Sequence, residues 1–347
     1  MNSQPGRQLH ADLHDMPPDH SSSPSRPSTR TAIVGLTAAG LAALAGVNHL
    51  LARKAERDNP PAGRFLNVNG VRLHYVERGR GEPVVLLHGN GSMIQDFQSS
   101  GLLDLAARKY RVIVLDRPGY GHSDRPRSRI WTPEAQADLI HDALAQLGIG
   151  RATILGHSWG CSVAVALAHK YPDLVGGLVL ASGYYYPTAR LDVVGTGVPA
   201  MAVLGDVLRY TISPALSRLM WPILMRKIFG PQAVPEKFAG FPKAMAVRPS
   251  QIRASAAESA LMVPDALSDR ETYSRLKMPV AIIAGAGVRL IDAEDQSARL
   301  HGDIPNSSLH RLLGAGHITR QTATEAVMSA IEKVAPSHGR SAQAKAA

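Results

Sequence analysis

A serine with a glycine two positions before it and another two positions after it lies in the run Gly156-His157-Ser158-Trp159-Gly160. The run follows the apolar segment ATIL at 152–155 and precedes an apolar pattern of helical period. A sharp turn from a strand into a helix exposes a serine hydroxyl, and it requires small flanking residues. The N-terminus of the following helix favours negative charge that develops near the hydroxyl. The pattern predicts that Ser158 is the nucleophile of an acyl-transfer reaction.

A serine nucleophile needs a general base, and the chain order of this arrangement places a histidine late in the sequence. His317 follows Gly314-Ala315-Gly316, directly after the last predicted strand. Glycines permit the tight loop that carries an imidazole over the serine. Neither His301 nor His310 has such a loop. We therefore predict that His317 is the base.

The oxyanion of acyl transfer needs N–H donors that are already in place. His88-Gly89-Asn90-Gly91 follows the apolar strand PVVLL at 83–87. Donors of this kind come from the residue after the nucleophile and from the loop after the third strand. We predict an oxyanion hole made by the backbone N–H groups of Asn90 and Trp159, with His88 as a brace for the loop.

Together these motifs resemble the α/β-hydrolase superfamily with an α-helical cap, over roughly Arg64 to Val334. The resemblance implies no metal and no organic cofactor. A serine at the turn separates the chain from the haloalkane dehalogenase and epoxide hydrolase branches, which place Asp there. It resembles the esterase, lipase, C–C hydrolase and cofactor-free haloperoxidase branches. The matching segments are HGNG at 88–91, DRPGYGHSDRP at 116–126, GHSWG at 156–160 and GAGH at 314–317.

The sequence departs from the family at the position of the catalytic acid. The resemblance implies a Gly, two residues and then Asp after the seventh strand, but Gly285-Ala286-Gly287 leads to Val288. Loss of a triad acid costs on the order of 10⁴ in kcat. The end of the sixth strand, at 182–186, offers no acid. Either a shifted carboxylate serves, or the protein has a weak Ser-His dyad or only binds. The shifted candidates are Glu294, Asp295 and Asp292, the last of which suits a helix N-cap better.

Wholly apolar runs alternate with helical patterns along the chain, which is typical of a mostly parallel sheet covered on both faces. We predict an α/β-hydrolase fold with eight strands, after the sixth of which a helical cap is inserted at 184–277. The core then comprises 64–183 and 278–334. The predicted strands are 65–68, 71–76, 83–87, 112–115, 152–155, 178–181, 280–284 and 308–313, and the predicted helices are 93–109, 132–147, 159–171 and 318–334.

The N-terminal region contains an uncharged apolar run at 31–52, long enough to cross a bilayer as a helix. A membrane anchor is the preferred interpretation; a signal peptide and a helix packed on the domain are the alternatives. We predict a disordered tail at 1–30 and a charged linker with two prolines at 53–63. A second disordered tail is predicted at 335–347. The protein is then membrane-associated and single-pass, with the side of the catalytic domain undetermined.

The formal net charge of +10 suits a partner that is anionic, such as a membrane surface. Aromatic residues make up only 5% of the chain, and no Lys/Arg run is interleaved with them, so nucleic-acid binding is not expected. The single cysteine, Cys161, excludes an internal disulfide and is interpreted as a buried apolar group. Asp116 is interpreted as structural.

The cap is rich in leucine and methionine at helical spacing, which indicates packing, an apolar acyl site or a surface resting on lipid. These residues are Met201, Leu204, Leu208, Leu216, Leu219, Met220, Trp221 and Leu224. The expected function is hydrolysis of a carboxylic ester with an apolar or lipid-like acyl part through an acyl-enzyme. The alternatives are a non-catalytic or weakly active binding protein, because of Val288, and a C–C hydrolase or cofactor-free haloperoxidase.

Overall fold

A computed structural model describes residues 29–188, 197–287 and 294–336 of the chain. Eight strands form one sheet in the order β1-β2-β4-β3-β5-β6-β7-β8. The strands β1 and β2, and β2 and β4, pair antiparallel, and all other neighbours pair parallel. The strands are β1 (Arg64–Val68), β2 (Val71–Arg78), β3 (Pro83–Leu87), β4 (Arg111–Leu115), β5 (Ala152–His157), β6 (Val175–Ala181), β7 (Val280–Gly285) and β8 (Ser307–Leu312). The predicted eight-stranded, mostly parallel sheet is confirmed.

Helices cover both faces of this sheet. On one face, α4 (Pro133–Gln146) and α5 (Trp159–Lys170) pack with β5 and β6 in a large apolar cluster. The other face is covered by the helices α2 (Ile94–Ser100), α3 (Leu102–Ala107) and α12 (Thr324–Val334), whose apolar side chains form a second cluster with β3 and β4. Burial on both faces explains why the central strands read as unbroken apolar runs.

Two of the predicted helices are each divided in two. The segment predicted as one helix at 93–109 breaks at Gly101, whose φ of 81° is left-handed and ends α2 before α3 begins. The predicted helix at 318–334 comprises a short α11 (Thr319–Thr322) and then α12, with Ala323 in a non-helical conformation (φ −142°, ψ 51°) between them.

The cap lies between β6 and β7 and is built from helices, as predicted. Its described residues contain no strand. Short 3-10 turns connect the helices, and two prolines, Pro222 and Pro264, lie inside them. The cap helices are α6 (Leu204–Tyr210), α7 (Ile212–Phe229), α8 (Lys243–Ala246) and α9 (Pro249–Asp269), and α10 (Arg299–Asp303) follows β7 in the core.

The apolar N-terminal run is one long helix, α1 (Thr29–Asp58). The described residues divide into two compact units between Leu41 and Ala42, so the C-terminal half of α1 belongs to the unit that contains the sheet. The helix continues through the first part of the predicted linker at 53–63. Tertiary contacts hold it there, because Ala55 is buried and Glu56 pairs with Arg248 of the cap.

Among the described residues, the segment Ala32–Asp58 is the one helix long and apolar enough to cross a membrane. Its most apolar window has a mean hydropathy of 1.6, and only 6% of that window is buried against protein. The predicted tails lie outside the described residues, apart from Thr29, Arg30, Ala335 and Pro336.

Candidate active site

Ser158 lies in the turn between β5 and α5, with a positive φ of 53° that few non-glycine residues adopt. Its backbone N–H donates to the carbonyl of Ala181 at the end of β6 (2.9 Å). The turn leaves no room for larger neighbours: a Cβ at Gly160 would lie 2.4 Å from the carbonyl oxygen of Leu87. Strain of this kind persists only where the surroundings over-determine the backbone, as at a nucleophile elbow.

The structure brings His317 to Ser158, with 3.0 Å between Nε2 and Oγ. The histidine side chain is buried, at 5% exposure, in the loop after β8. Its backbone N–H donates to the carbonyl of Ile228 in the cap helix α7 (2.8 Å). The 3.0 Å between Nε2 of His317 and Oγ of Ser158 is a distance at which a histidine takes the proton of a serine that attacks a carbonyl.

His157, the residue before the nucleophile, contacts the loop of His317 through a hydrogen bond to its backbone. Its Nε2 lies 3.0 Å from the carbonyl oxygen of His317, and a carbonyl only accepts, so His157 carries the proton on Nε2. Complete burial lowers the pKa of His157 to about 4, so the ring is neutral near neutral pH. Sequence reasoning gave this residue no role; its position beside the serine was the available signal.

The loop predicted to supply the oxyanion hole passes next to the nucleophile. A Cβ added at Gly89 would lie 2.9 Å from the Cβ of Ser158. Trp159 is the first residue of α5, so its backbone N–H has no acceptor within the helix. Asn90 and Trp159 therefore stand on the two segments that flank Ser158.

His88 is built into this loop as a brace. Its Nε2 accepts a hydrogen bond from the backbone N–H of Arg117 (3.0 Å), so its Nδ1 donates to the carbonyl of Gly89 (2.8 Å). Burial, and then the positive charge of Arg117, hold the pKa of His88 well below its usual value. A neutral, buried imidazole with both nitrogens engaged orders the loop.

The side chain of Asn90 joins the oxyanion loop to the cap helix α9. Its amide donates to the carbonyl of Ser255 (3.1 Å) and to the hydroxyl of Ser259 (3.1 Å). Its amide oxygen accepts from the hydroxyl of Ser255 and lies 3.1 Å from the hydroxyl oxygen of Tyr120. The side chain that precedes the Gly91 turn is thus held by the cap.

Glu258 on α9 is the centre of the same network and was not identified from the sequence. The side chain is fully buried, and its carboxylate accepts from the guanidinium of Arg117 and from the hydroxyl of Tyr120 (2.7 Å). Gln136 of α4 also donates to it (3.1 Å). A buried carboxylate requires such partners. The Arg117 in the motif DRPGYG was the signal that a buried acid exists elsewhere.

A second buried tie joins the oxyanion loop to the loop of His317. The carboxylate of Asp96, at the start of α2, accepts from Arg320 and from the amide of Gln321 (2.8 Å). Ser92 donates to the same carboxylate (2.6 Å). Burial lowers the pKa of Arg320 to about 9. The two segments that serve the serine are therefore fixed to one another.

The described residues do not reach the position of the catalytic acid. The strand β7 ends at Gly285 as expected, but Val288 and Asp292 lie outside the described residues. The backbone of Glu294 and Asp295 lies in a short π-helix, Glu294–Ala298. Variants at Val288 and Asp292 distinguish a shifted acid from a Ser-His dyad.

Asp116 and Cys161 have structural surroundings. Asp116 is buried and accepts from the backbone N–H groups of Ile94 (2.9 Å) and His122 (3.0 Å). Burial raises the pKa of Cys161 to about 12, so it remains a thiol. A buried thiol of this kind is inert.

Two other features of the described residues lie outside the serine site. They contain no cluster of three or more His, Cys, Asp or Glu side chains able to hold a metal ion. A cleft of about 530 Å³ lies between the end of α4 and the start of β6, lined by His141, Tyr171 and Asp173 among others. It opens at the amino edge of the parallel strands, away from Ser158.

Comparison with known proteins agrees with the geometry. A family model described as alpha/beta hydrolase fold matches residues 82–319. An uncharacterized hydrolase, YugF, of Bacillus subtilis is 27% identical over 77% of this chain and 95% of its own length. A 2-hydroxy-6-oxononadienedioate/2-hydroxy-6-oxononatrienedioate hydrolase of Pseudomonas putida is 30% identical over 71% of this chain and 85% of its own length.

Solved structures share the fold. A thermophilic esterase from Thermogutta terrifontis covers 78% of this chain and 97% of its own, with 23% identity and a TM-score of 0.65. A bacterial membrane phospholipase A covers 87% of this chain and 97% of its own, with 20% identity and a TM-score of 0.59. At these identities the similarity shows the architecture alone.

Proposed function

Because this chain belongs to the alpha/beta hydrolase fold family, we propose that it is a serine hydrolase that cleaves carboxylic esters with an apolar acyl part. The observation that carries the proposal is the 3.0 Å approach of His317 Nε2 to Ser158 Oγ at a strained turn. Few arrangements other than nucleophilic catalysis require a serine in this backbone conformation beside a buried histidine.

The reaction has two steps. His317 takes the proton of Ser158 while Oγ attacks the ester carbonyl, and the same proton then passes to the leaving alcohol. In the second step His317 takes a proton from water, which attacks the acyl-enzyme. The proton then passes to Oγ of Ser158 as the acid is released. In both steps the backbone N–H groups of Asn90 and Trp159 stabilise the oxyanion. As written, the reaction uses no metal and no organic cofactor.

The network around Glu258 supports this assignment of the oxyanion loop. Donors that stabilise an oxyanion act best when they are fixed before the reaction. Asn90 donates to the backbone of α9, and His88 accepts from the backbone N–H of Arg117, so the loop is held on both sides. A loop held by buried charges suits a rigid catalytic role.

A fluorophosphonate probe tests the proposal, because it reacts with an activated serine. We expect the full-length chain to be labelled and Ser158→Ala to be unlabelled, with His317→Ala reduced by on the order of 10³ or more. Thermal unfolding of both variants at the wild-type temperature is the control for folding. A folded wild-type chain that the probe does not label would exclude the serine mechanism.

A second candidate is C–C bond hydrolysis with the same serine. It is favoured by the 30% identity to the Pseudomonas putida hydrolase over most of both chains. Turnover of a 2-hydroxy-6-oxo-dienedioate, with none of aliphatic esters, would establish this candidate over the ester hydrolase. Probe labelling at Ser158 is expected for both.

The helix α1 is proposed to anchor the protein in a membrane through residues 31–52. The support is its length, its apolar composition and the exposure of nearly all of its apolar window. Extraction of membranes at alkaline pH tests the anchor: an anchored chain stays with the membrane at full length. Release of a chain shortened at its N-terminus would identify a signal peptide instead.

A further inference from the structure

The cap helix α7 (Ile212–Phe229) exposes an apolar stripe instead of a polar one. Leu216, Leu219 and Ile223 lie 52%, 74% and 52% exposed, at spacings of three and four that place them on one face. Met220 and Leu224 extend this stripe at its edge. The opposite face is also apolar, with Met225 and Phe229 buried in the cluster beneath the cap. A helix on the surface of a water-soluble protein normally has a polar outer face.

The charge of α7 is suited to an anionic surface. Its 18 residues contain no acidic side chain. Arg226 and Lys227 lie exposed in its last turn, and Arg218 is half-buried along its length. Apolar residues with a flanking set of cations are the composition of helices that lie in a phospholipid interface.

The start of α7 is joined to the apolar helix α1. The buried amide of Asn48 donates to the carbonyls of Tyr210 (3.0 Å) and Thr211 (2.6 Å), directly before α7 begins. Arg218 donates to the amide oxygen of the same asparagine (3.1 Å). Val47, beside Asn48, is exposed, as is Ile212 beside Thr211. Each helix therefore exposes an apolar side chain directly next to this contact.

The end of α7 reaches the catalytic loop. The carbonyl of Ile228 accepts from the backbone N–H of His317, and a Cβ at Gly316 would lie 2.4 Å from the carbonyl oxygen of Phe229. At 1.5 Å per residue the helix spans about 27 Å between these two contacts. One helix thus runs from the apolar segment α1 to the base of the active site.

We propose that α7 is an interfacial helix that rests on an anionic phospholipid bilayer, with the stripe from Leu216 to Ile223 at the boundary of the acyl chains. The proposal rests on the anchoring of α1 and does not depend on the ester chemistry. The exposed cations in the last turn of α7 and its contact with α1 at Asn48 favour lipid over a second copy of the chain. Docked in this way, α7 holds the loop of Gly316 and His317 from a helix that rests on the bilayer.

A fluorophore with a lipid-quenchable signal tests the docking. The single native cysteine, Cys161, is buried, so a thiol label reacts selectively with an introduced cysteine. We would label Leu219→Cys in the full chain, reconstituted in phosphatidylcholine/phosphatidylglycerol vesicles that contain brominated acyl chains. Val34→Cys, in the apolar run of α1, reports the anchor. Glu82→Cys, exposed at the amino edge of β3, is the water-facing control.

The expected result is quenching by brominated lipid at positions 219 and 34 and none at position 82. Quenching at position 34 without quenching at position 219 would overturn the proposal. A label at position 219 that is shielded from water but not quenched by lipid would also overturn it, because another copy of the protein then covers the stripe. An unquenched label at position 34 would overturn the anchor and the docking together. Probe labelling of Ser158 in the same samples separates these outcomes from a failure of the catalytic proposal.

Discussion

Glycine at three positions makes the turn at Ser158 possible, because backbone from other segments passes where a side chain would lie. Gly89 approaches the serine itself, Gly156 approaches Gly160, and Gly160 approaches the carbonyl of Leu87. Only the last two belong to the G-x-S-x-G motif. The two glycines of the motif are therefore required by the packing of the turn, while the serine provides the chemistry.

Gly160→Ala is expected to destabilise the protein by about 1–3 kcal/mol and to reduce probe labelling of Ser158, because its Cβ would meet fixed backbone. Thermal unfolding and labelling rate measure the two effects. Gly150→Ala is the matched control, since nothing lies within 4 Å of its Cβ. An equal effect at both positions would contradict this account.

The partner of the second ring nitrogen of His317 determines how strongly the serine is activated, and the sequence has Val288 where the family has Asp. If no shifted acid serves, His317 acts without the carboxylate that the family provides, and Val288→Asp is expected to raise kcat by on the order of 10² or more. Asp292→Asn is the complementary variant, with kcat measured on the same ester. A large loss with Asp292→Asn, and no gain with Val288→Asp, would show that a shifted carboxylate already serves.

At the scale of elements, the cap helix α9 does more than cover the site. Its buried Glu258 pairs with Arg117, which in turn holds His88 through the backbone. The cap therefore fixes the oxyanion loop from above, and the Asp96–Arg320 pair fixes it to the loop of His317. Positioning by ion pairs of this kind is lost when one partner is removed, because the other charge stays buried.

Glu258→Ala is expected to cost about 3–5 kcal/mol of stability, since Arg117 would remain charged and unpaired in the interior. In the fraction that folds, kcat is expected to fall more than KM changes, because the oxyanion donors lose their support. Glu271→Ala removes a carboxylate whose ion pair with Arg270 is exposed, and should change stability by less than about 1 kcal/mol. Similar stability losses for both variants would refute the role of Glu258.

At the scale of the whole molecule, an acidic pair at the end of α9 makes stability depend on pH. Burial, followed by the neighbouring charge of Asp269, raises the pKa of Asp265 to about 8. Burial raises the pKa of Asp269 to about 6. Both groups hold protons in the folded chain that the unfolded chain has released, so the free energy of unfolding decreases as the pH rises from about 4 to about 8.

Asp265→Asn is expected to remove part of this dependence. Near pH 8 the variant should be more stable than the wild type by at least about 1 kcal/mol, and near pH 5 the two should be similar, because the wild-type carboxyl is then protonated. Thermal unfolding across this range measures the difference. A stabilisation of the same size at pH 5 would show that the carboxyl is not protonated there.

The sequence by itself determined the chain order of the fold, and it predicted the residues of a serine site. The apolar runs predicted the central strands, because a strand buried on both faces is a short continuous apolar run, and its length distinguishes it from a helix. Glycines marked the turns at Ser158 and before His317, since backbone conformation there depends on residue type. The eight-stranded sheet, the family and the inserted cap followed from these local rules.

Tertiary structure alone decided which distant residues meet. Glu258 and Asp96 lie in helices whose local patterns give no reason to single them out, and their partners are 141 and 224 residues away. Packing also extended α1 into the predicted linker as far as Asp58 and left the stripe of α7 facing outward. A helical pattern shows which residues share a face, but only the assembled fold determines whether that face meets protein or solvent.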